Sequence, residues 1–499
     1  MKILGISAGF HDASVSVIDN GEILFAGHAE RYSKIKNDAH INDTLISDAL
    51  QYGNPELIAY YERPWVKKLQ QLQSGQYSEA FDFKNFTLDQ YMRKHISDPV
   101  YQRHLVGCPR RYMSHHLSHA AAGFQTSPYN RATVVVIDAI GELDTITIWG
   151  AEYVDGNAKY TRLWRQRYPH SIGLFYSAMT DRVGLKPGEE EYIMMGMSAY
   201  GGQGLGDLLK ARLVEDEHAV TFKQNLHIGV EADFMDHAVN EDIAAMSQDL
   251  AENLIYNVMK RARDFCWSPN LVYMGGVALN CLANRNLGKY FENIWIMPNP
   301  GDAGSSLGAA ALAYGGRLDW HSAFLGHSID GHYPVNDILD RLLTDRIVGV
   351  ASGRAEFGPR ALGNRSLLAD PRGTEIKDRV NEIKQRQKFR PFAPVILEEF
   401  ADQYFDIPSN WSDSRYMQIV GQCRHPDLFP AVVHVDGTSR IQTVPKDGSG
   451  IRELLEKWFV MTGCPMLLNT SLNIRGEPMV NDRADADRFE QLYGVKVCS

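Results

Sequence analysis

The stretch "KILGISAGFHDASVSVIDNGEILFAGHAE", residues 2–30, holds three short apolar runs separated by turn signals. "KILGIS" has the continuous apolar character of a buried strand, and "ASVSVID" alternates as a half-buried strand does. "EILFAGHAE" follows Asn20-Gly21, a dipeptide suited to the positive φ angles of a tight hairpin turn. The first turn contains Gly9 followed by Phe10, His11 and Asp12. A glycine there lets backbone N–H groups approach an anion closely.

The same logic recurs further on. "VVVIDAIGELDTITIW" (134–149) is a second apolar hairpin, with Asp138 expected at its tip. "NLVYMGGVALNCLANRNL" (270–287) reads as strand, Gly-Gly turn and helix, and "IWIMPNPGDAGSSLGAAALAY" (294–314) repeats that order. A glycine turn ahead of a helix offers phosphate free N–H groups and the positive end of the helix dipole. The sequence contains no G-x-x-x-x-G-K-[ST], which argues against a P-loop ATPase. Two hairpins followed by a late Gly-Gly turn resemble the actin, hexokinase and sugar-kinase type of ATP fold. The resemblance implies an α/β N-terminal domain that holds ATP, with Gly275, Gly276, Val277 and Asn280 near the nucleotide.

At 499 residues the chain exceeds what one core supports and suggests two large domains. Segments 40–105 and 170–260 read as mostly helical. The polar stretch 325–345 is the expected boundary, giving domains 1–335 and 336–499. The net charge of −10, without a concentrated basic stretch, argues against an extended nucleic-acid surface. The six cysteines are scattered with no C-x-x-C pair, as in a reducing compartment. Met1 leads directly into a strand with no signal-peptide pattern, and no apolar run approaches the ~18 residues of a membrane span. These features predict a cytoplasmic protein with no membrane partner.

"RYMSHHLSHAAAGF" (111–124) places three histidines within five positions. On a helix, His115 and His119 share one face and His116 lies on another. Such a pair alone is commonly a polar helix surface. Asp138 at the second hairpin and Asp302 in "PGDAGSS" supply two carboxylates that would point into the same cleft. Two imidazoles and carboxylate make a mixed N/O set suited to Fe2+, which is favoured, with Mn2+, Zn2+ or Mg2+ as alternatives. His11, beside Asp12, is either a proton acceptor for an attacking hydroxyl or a capping residue.

Together, "HHLSHA", "GGVALN" and "GDAGSSLGAA" resemble the O-carbamoyltransferases of the nodulation-protein and cephalosporin-biosynthesis type (NodU/CmcH). Their N-terminal domain is similar to the tRNA threonylcarbamoyltransferase domain. The blocks "FGPRALGNRSLLADPR" (357–372), "FRPFAPVIL" (389–397), "HVDGTSRIQTV" (434–444) and "PMLLNTSLNIRGEP" (465–478) extend the resemblance nearly end to end. The second domain resembles the YrdC-type threonylcarbamoyl-AMP synthase, an α/β fold with K-x-R and S-x-N signatures. Here these read Lys384-Gln385-Arg386 and Ser471-Leu472-Asn473. With Arg360, Arg390 and Arg440 they form a donor set suited to phosphate and nucleotide. Arg365 and Arg372 read as weaker candidates with a structural role.

The resemblance implies a two-site reaction. Carbamoyl phosphate and ATP give carbamoyl adenylate in the C-terminal domain. The carbamoyl group then passes to a hydroxyl of a small acceptor, such as a sugar, an antibiotic or a modified nucleotide, in the N-terminal domain. A homodimer is the default oligomer. Two departures stand out: "KQRQKFRPF" lacks an acidic residue expected before its aromatic, and relatives are expected to continue beyond "GVKVCS". The alternatives are a threonylcarbamoyl-adenylate-type tRNA-modification enzyme and a metal-dependent, kinase-like ATP-binding protein.

Overall fold

The computed structural model describes residues 1–499 apart from 74, 82–85, 203, 409–410, 412–413 and 449. Lys2–Ser7, Ser14–Asp19 and Glu22–His28 pair antiparallel, as the turn signals require. Asn20 and Gly21 both take positive φ, 50° and 97°, which suits a two-residue hairpin turn. Leu57–Tyr60 then runs parallel to the first strand, and Arg110–Tyr112 lies beside it.

A second sheet repeats this plan. Arg131–Gly141, Asp144–Val154 and Asn157–Arg167 form its meander, and Asn270–Met274 and Asn293–Trp295 extend it in parallel. Counted from the edge of the meander, both sheets run third, second, first, fourth, fifth. The chain is an α/β protein in which one five-stranded plan occurs twice.

Two buried helices lie between these sheets: His115–Thr126 against the second, Ser305–Tyr314 against the first. Small residues set their spacing. A Cβ on Gly308 would meet Ser118 O at 1.8 Å, and one on Gly5 would meet Ser306 O at 2.0 Å. This explains a departure from the sequence pattern. Ser14 and Ser16 are as buried as the residues between them, because their face receives the helix instead of water. The alternation in "ASVSVID" is one of size, not of wet and dry faces.

Segment 40–105 contains the helices Asp43–Leu50, Pro64–Gln73, Leu88–His95 and Asp98–His104, but also the strand Leu57–Tyr60. Segment 170–260 is helical in Ile172–Arg182, Glu191–Met197, Gly206–Leu213 and Asn240–Asp264, with a small hairpin at Val214–Asp216 and Thr221–Phe222. Positions 74 and 82–85 of the first segment and 203 of the second lie outside the described residues.

The stretch 325–345 is more ordered than its polarity suggests. Phe324–Ile329 packs beside Glu22–His28 and pairs with Gly353–Glu356, and Val335–Thr344 is a helix. A third sheet follows, in the order Gln442–Val444, Ala393–Leu397, Met466–Ser471, Arg365–Ala369, Ile347–Ala351, Val497–Cys498. It has its own apolar core, which includes Trp458, Leu467 and Ile396. Among the described residues, no helix is long and apolar enough to cross a membrane.

Candidate active site and metal centre

The second hairpin is longer than the sequence suggests. Its first strand runs to Gly141, so Asp138 lies within the strand and not at the tip. Pairing is regular up to Ile137, opposite Ile146, and resumes at Gly141, opposite Asp144. An interrupted ladder of this kind re-aims a side chain, and here Asp138 reaches the histidine helix. Asp302 comes from the turn Asp302–Gly304 that leads into Ser305–Tyr314. His115 and His119 occupy one face of the first turns of their helix.

These four buried side chains converge, with ligand atoms all within 4.8 Å of one another. His115 Nε2 lies 3.2 Å from both Asp138 Oδ2 and Asp302 Oδ1. His119 Nε2 lies 3.4 Å and 3.1 Å from the same two oxygens. His119 Nδ1 donates to Pro300 O at 3.1 Å, which leaves Nε2 to face the cluster. Two nitrogens and two carboxylate oxygens around one point fit a divalent first-row cation. In the bare protein, burial opposes a charge on His115, but Asp302, Asp138 and Glu62 outweigh it and hold the imidazole well above its usual pKa. Burial likewise opposes ionisation of Asp138, and the two histidines overcome it.

His116 takes another course. Its Nδ1 lies 2.9 Å from Thr147 Oγ1 on the second sheet. Burial, then His115, push its pKa down to about 3, so it stays neutral.

Around the cluster, Gly275 has a φ of 91°, and a Cβ there would meet Ile137 O at 2.2 Å. The close approach lets Gly276 N–H donate to Asp138 Oδ1 at 3.1 Å. Val277 is half-buried in the 3-10 turn Gly276–Leu279. Asn280 caps the short helix Cys281–Asn284 and exchanges amide hydrogen bonds with Gln248, so both ends of its amide are engaged within the protein. In place of the longer helix expected after "GGVALN", a 3-10 turn and one helical turn are found. His11 lies on the open side, its Nε2 3.7 Å from Asp302 Oδ2 and its Nδ1 3.2 Å from Asp12 Oδ2. Asp12 has a φ of 52°, which turns the chain at this point.

Sequence reasoning missed Glu62 and Lys67. Glu62 Oε1 lies 3.7 Å from His115 Nδ1 and 2.9 Å from Lys67 Nζ. Burial opposes the charge on Glu62, but Lys67 and His115 hold its pKa down, to about 2. No local signal marks Glu62. It reaches the site only because Leu57–Tyr60 joins the first sheet.

A second centre lies where the C-terminal part meets the N-terminal part. A cavity of about 160 Å³ is lined by Arg360, Arg386, Arg390, Arg440 and Ser471 from one side and by Tyr192 and Cys281 from the other. Asp436 also lines the cavity, beside His434, yet among the described residues no carboxylate lies within ion-pair distance of these four arginines or of Lys384. Burial, then Arg440, push the pKa of Arg360 down to about 9. Lys384 Nζ donates to Ser471 Oγ at 3.2 Å and to Asn473 Oδ1 at 2.9 Å, so the K-x-R and S-x-N signatures meet in space. Arg365 is instead wholly buried and donates to five backbone carbonyls, and Arg372 pairs with Asp370.

Residues 2–311 match the family model "Carbamoyltransferase N-terminus", and residues 339–497 match "Carbamoyltransferase C-terminus". The chain is a carbamoyltransferase family enzyme. The carbamoyltransferase is 28% identical to nodulation protein U of Rhizobium tropici, over 99% of this chain and 95% of that protein. It is 29% identical to nodulation protein NolNO of Sinorhizobium fredii, over 95% and 76% of the two chains. An uncharacterized protein of Synechocystis sp. is 31% identical over 97% of this chain and 93% of its own. Among solved structures, full-length HypF in its phosphate- and nucleotide-bound form aligns with a TM-score of 0.33 at 14% identity, over 63% of this carbamoyltransferase and 55% of HypF.

Proposed function

We propose that the enzyme is an O-carbamoyltransferase working through carbamoyl adenylate. The observation that carries this reading is the cavity of unpaired cations at the meeting of the two parts. Carbamoyl phosphate is hydrolysed there to carbamate and phosphate. A carbamate oxygen then attacks the α-phosphorus of ATP, and pyrophosphate leaves. Arg360, Arg386, Arg390 and Arg440 balance the charge of the phosphates, and Lys384, Ser471 and Asn473 orient them. The same meeting of signatures supports a YrdC-like fold for the C-terminal part.

The acceptor hydroxyl attacks the carbamoyl carbon at the histidine–aspartate cluster, and AMP leaves. His115, His119, Asp138 and Asp302 would hold the cation, which when bound supplies Lewis-acid stabilisation of phosphate charge. Gly276 N–H fixes Asp138. Burial opposes a charge on His11, but Asp12, Asp302 and Asp138 outweigh it and raise its pKa to about 9, so His11 on the open side takes the hydroxyl proton only after releasing its own to solvent. Enclosure of the adenylate limits its hydrolysis.

The test is product analysis with ATP and carbamoyl phosphate. AMP and pyrophosphate are expected, and ADP would sink the adenylate route. Arg390→Ala and Ser471→Ala are expected to abolish pyrophosphate release yet still consume supplied carbamoyl adenylate. If they fail on supplied adenylate, the division into two sites is wrong.

A further inference from the structure

The chain carries a net charge of −10, yet the surface beside the start of the histidine helix is cationic. The edge strand Asn157–Arg167 presents Arg162, Arg165 and Arg167 opposite Trp149, Thr147 and Asp144. All three guanidinium groups gather round one carboxylate, that of Asp144, at 3.8, 3.9 and 3.8 Å. None of them is within hydrogen-bonding distance, and Asp144 Oδ1 is a buried acceptor without a partner. The arginine side chains are 42%, 35% and 52% exposed. Each guanidinium has five N–H donors, so three of them leave a dense field of donors facing solvent with one counter-charge among them.

The position is specific. Arg165 pairs across the strand with Thr147, and Thr147 Oγ1 holds His116, the residue next to His115. One strand spacing of ~5 Å therefore separates this arginine row from the strand that holds His116, next in the chain to His115. Arg63 and Lys67 continue the cationic rim toward the cluster, paired with Glu142 and Glu62 respectively. Across this surface five cations face three carboxylates. In the adenylate reading above, the adenylate's own phosphate is met elsewhere, by the cation that His115, His119, Asp138 and Asp302 would hold.

We propose that Arg162, Arg165 and Arg167 bind a phosphate group of the acceptor, making this a carbamoyltransferase for phosphorylated alcohols. The inference rests on the hydroxyl-transfer reading above. Arginine forks match phosphate oxygens two at a time, which gives orientation as well as charge balance. An acceptor anchored there by its phosphate extends its hydroxyl toward His11 and the cluster.

The test uses the full chain and matched probes: hexoses against hexose 6-phosphates, and nucleosides against nucleoside 5′-monophosphates. Calorimetric titration with a hexose 6-phosphate is expected to show two anion sites per chain, this one and the arginine cavity. The Arg162→Gln/Arg165→Gln/Arg167→Gln variant is expected to keep only the second. In transfer assays the phosphorylated member of a productive pair is expected to be preferred at least tenfold in kcat/KM, with the preference lost in the variant. Pyrophosphate release without acceptor should be equal in both proteins. Unchanged stoichiometry in the variant overturns the proposal, as does equal use of phosphorylated and plain alcohols, or retention of RNA alone by the row. A loss of pyrophosphate release in wild type would instead refute the adenylate route, and the titration would still decide the anion site.

Discussion

The Nε2 atoms of His115 and His119 face each other across 3.1 Å, and both also face Asp302 Oδ1. Two imidazole nitrogens so placed need either a proton or a cation between them. Purified protein is therefore expected to retain about one divalent ion per chain. In His115→Ala/His119→Ala, metal analysis should find less than about a tenth of that, since two of the ligands are gone. Pyrophosphate release should persist, because the arginine cavity is untouched. Full metal occupancy in the double variant refutes the site.

Gly275 offers a stability test. Its φ of 91° and the 2.2 Å approach of its absent Cβ to Ile137 O leave no room for alanine. Both the strain and the forced shift act on Gly275→Ala, for a combined cost of about 3 kcal/mol or more. The shift also draws Gly276 N–H away from Asp138. Lowered melting temperature together with weakened metal retention is expected. A variant with wild-type values for both would mean that the turn has another conformation in solution.

How much of this was legible in the sequence follows from which interactions are local. The first meander and the i, i+4 histidines are set by neighbours in the chain, and the sequence shows them. Asp138 and Asp302 were legible as carboxylates at turns, though the strand carrying Asp138 extends further than apolar patterning indicates. The strand Asn157–Arg167 was not legible, because an edge strand with one wet face and three arginines lacks an apolar run. Glu62 was hidden for another reason: it reaches His115 only through a parallel pairing between strands about fifty residues apart. The size alternation of Ser14, Val15 and Ser16 was misleading, since a helix of small residues makes the serine face dry.

Lys384 gives a proton-linked prediction. Burial, then Arg386 and Arg390, push its amine well below the usual lysine range. A phosphate entering the cavity brings counter-charge and raises that pKa, so binding takes up a proton wherever the free and bound values bracket the assay pH. The calorimetric enthalpy of pyrophosphate binding should therefore vary with the ionisation enthalpy of the buffer. Lys384→Met should bind at least tenfold more weakly and lose most of the buffer dependence. An enthalpy independent of buffer in the wild-type protein would show that the amine is already charged.

His11 is the ring that remains accessible beside the cluster, with a side chain 40% exposed. As the acceptor of the hydroxyl proton, its loss should cost ~10²–10⁴ in transfer rate. His11→Ala is expected to keep its metal and its pyrophosphate release while transfer falls by that factor. A capping residue would behave differently, since its removal would loosen the turn and the metal with it. Metal loss in His11→Ala without a specific transfer defect assigns it that second role.

The contact between His327 and Asp48 ties the strand Phe324–Ile329 to the helix Asp43–Leu50, with Nδ1 and Oδ2 2.6 Å apart. The hydrogen bond with Asp48 raises the His327 pKa against the effect of burial. For Asp48, burial opposes ionisation, and the bonds from His327 and Tyr32 outweigh it. The signs fix the window. The histidine contribution is complete below the unfolded value of about 6.5 and fades as pH rises through the raised folded value. The aspartate contribution is complete above about 3.9 and fades as pH falls through its lowered value. The pair therefore stabilises most between about pH 4 and about pH 6.5, by about 1 kcal/mol for a partly exposed pair. Melting of wild type and His327→Gln from about pH 5 to about pH 9 should show a gap that is widest at the acid end and closes toward the alkaline end. A constant gap across that range would mean that His327 acts through packing and its charge plays no part.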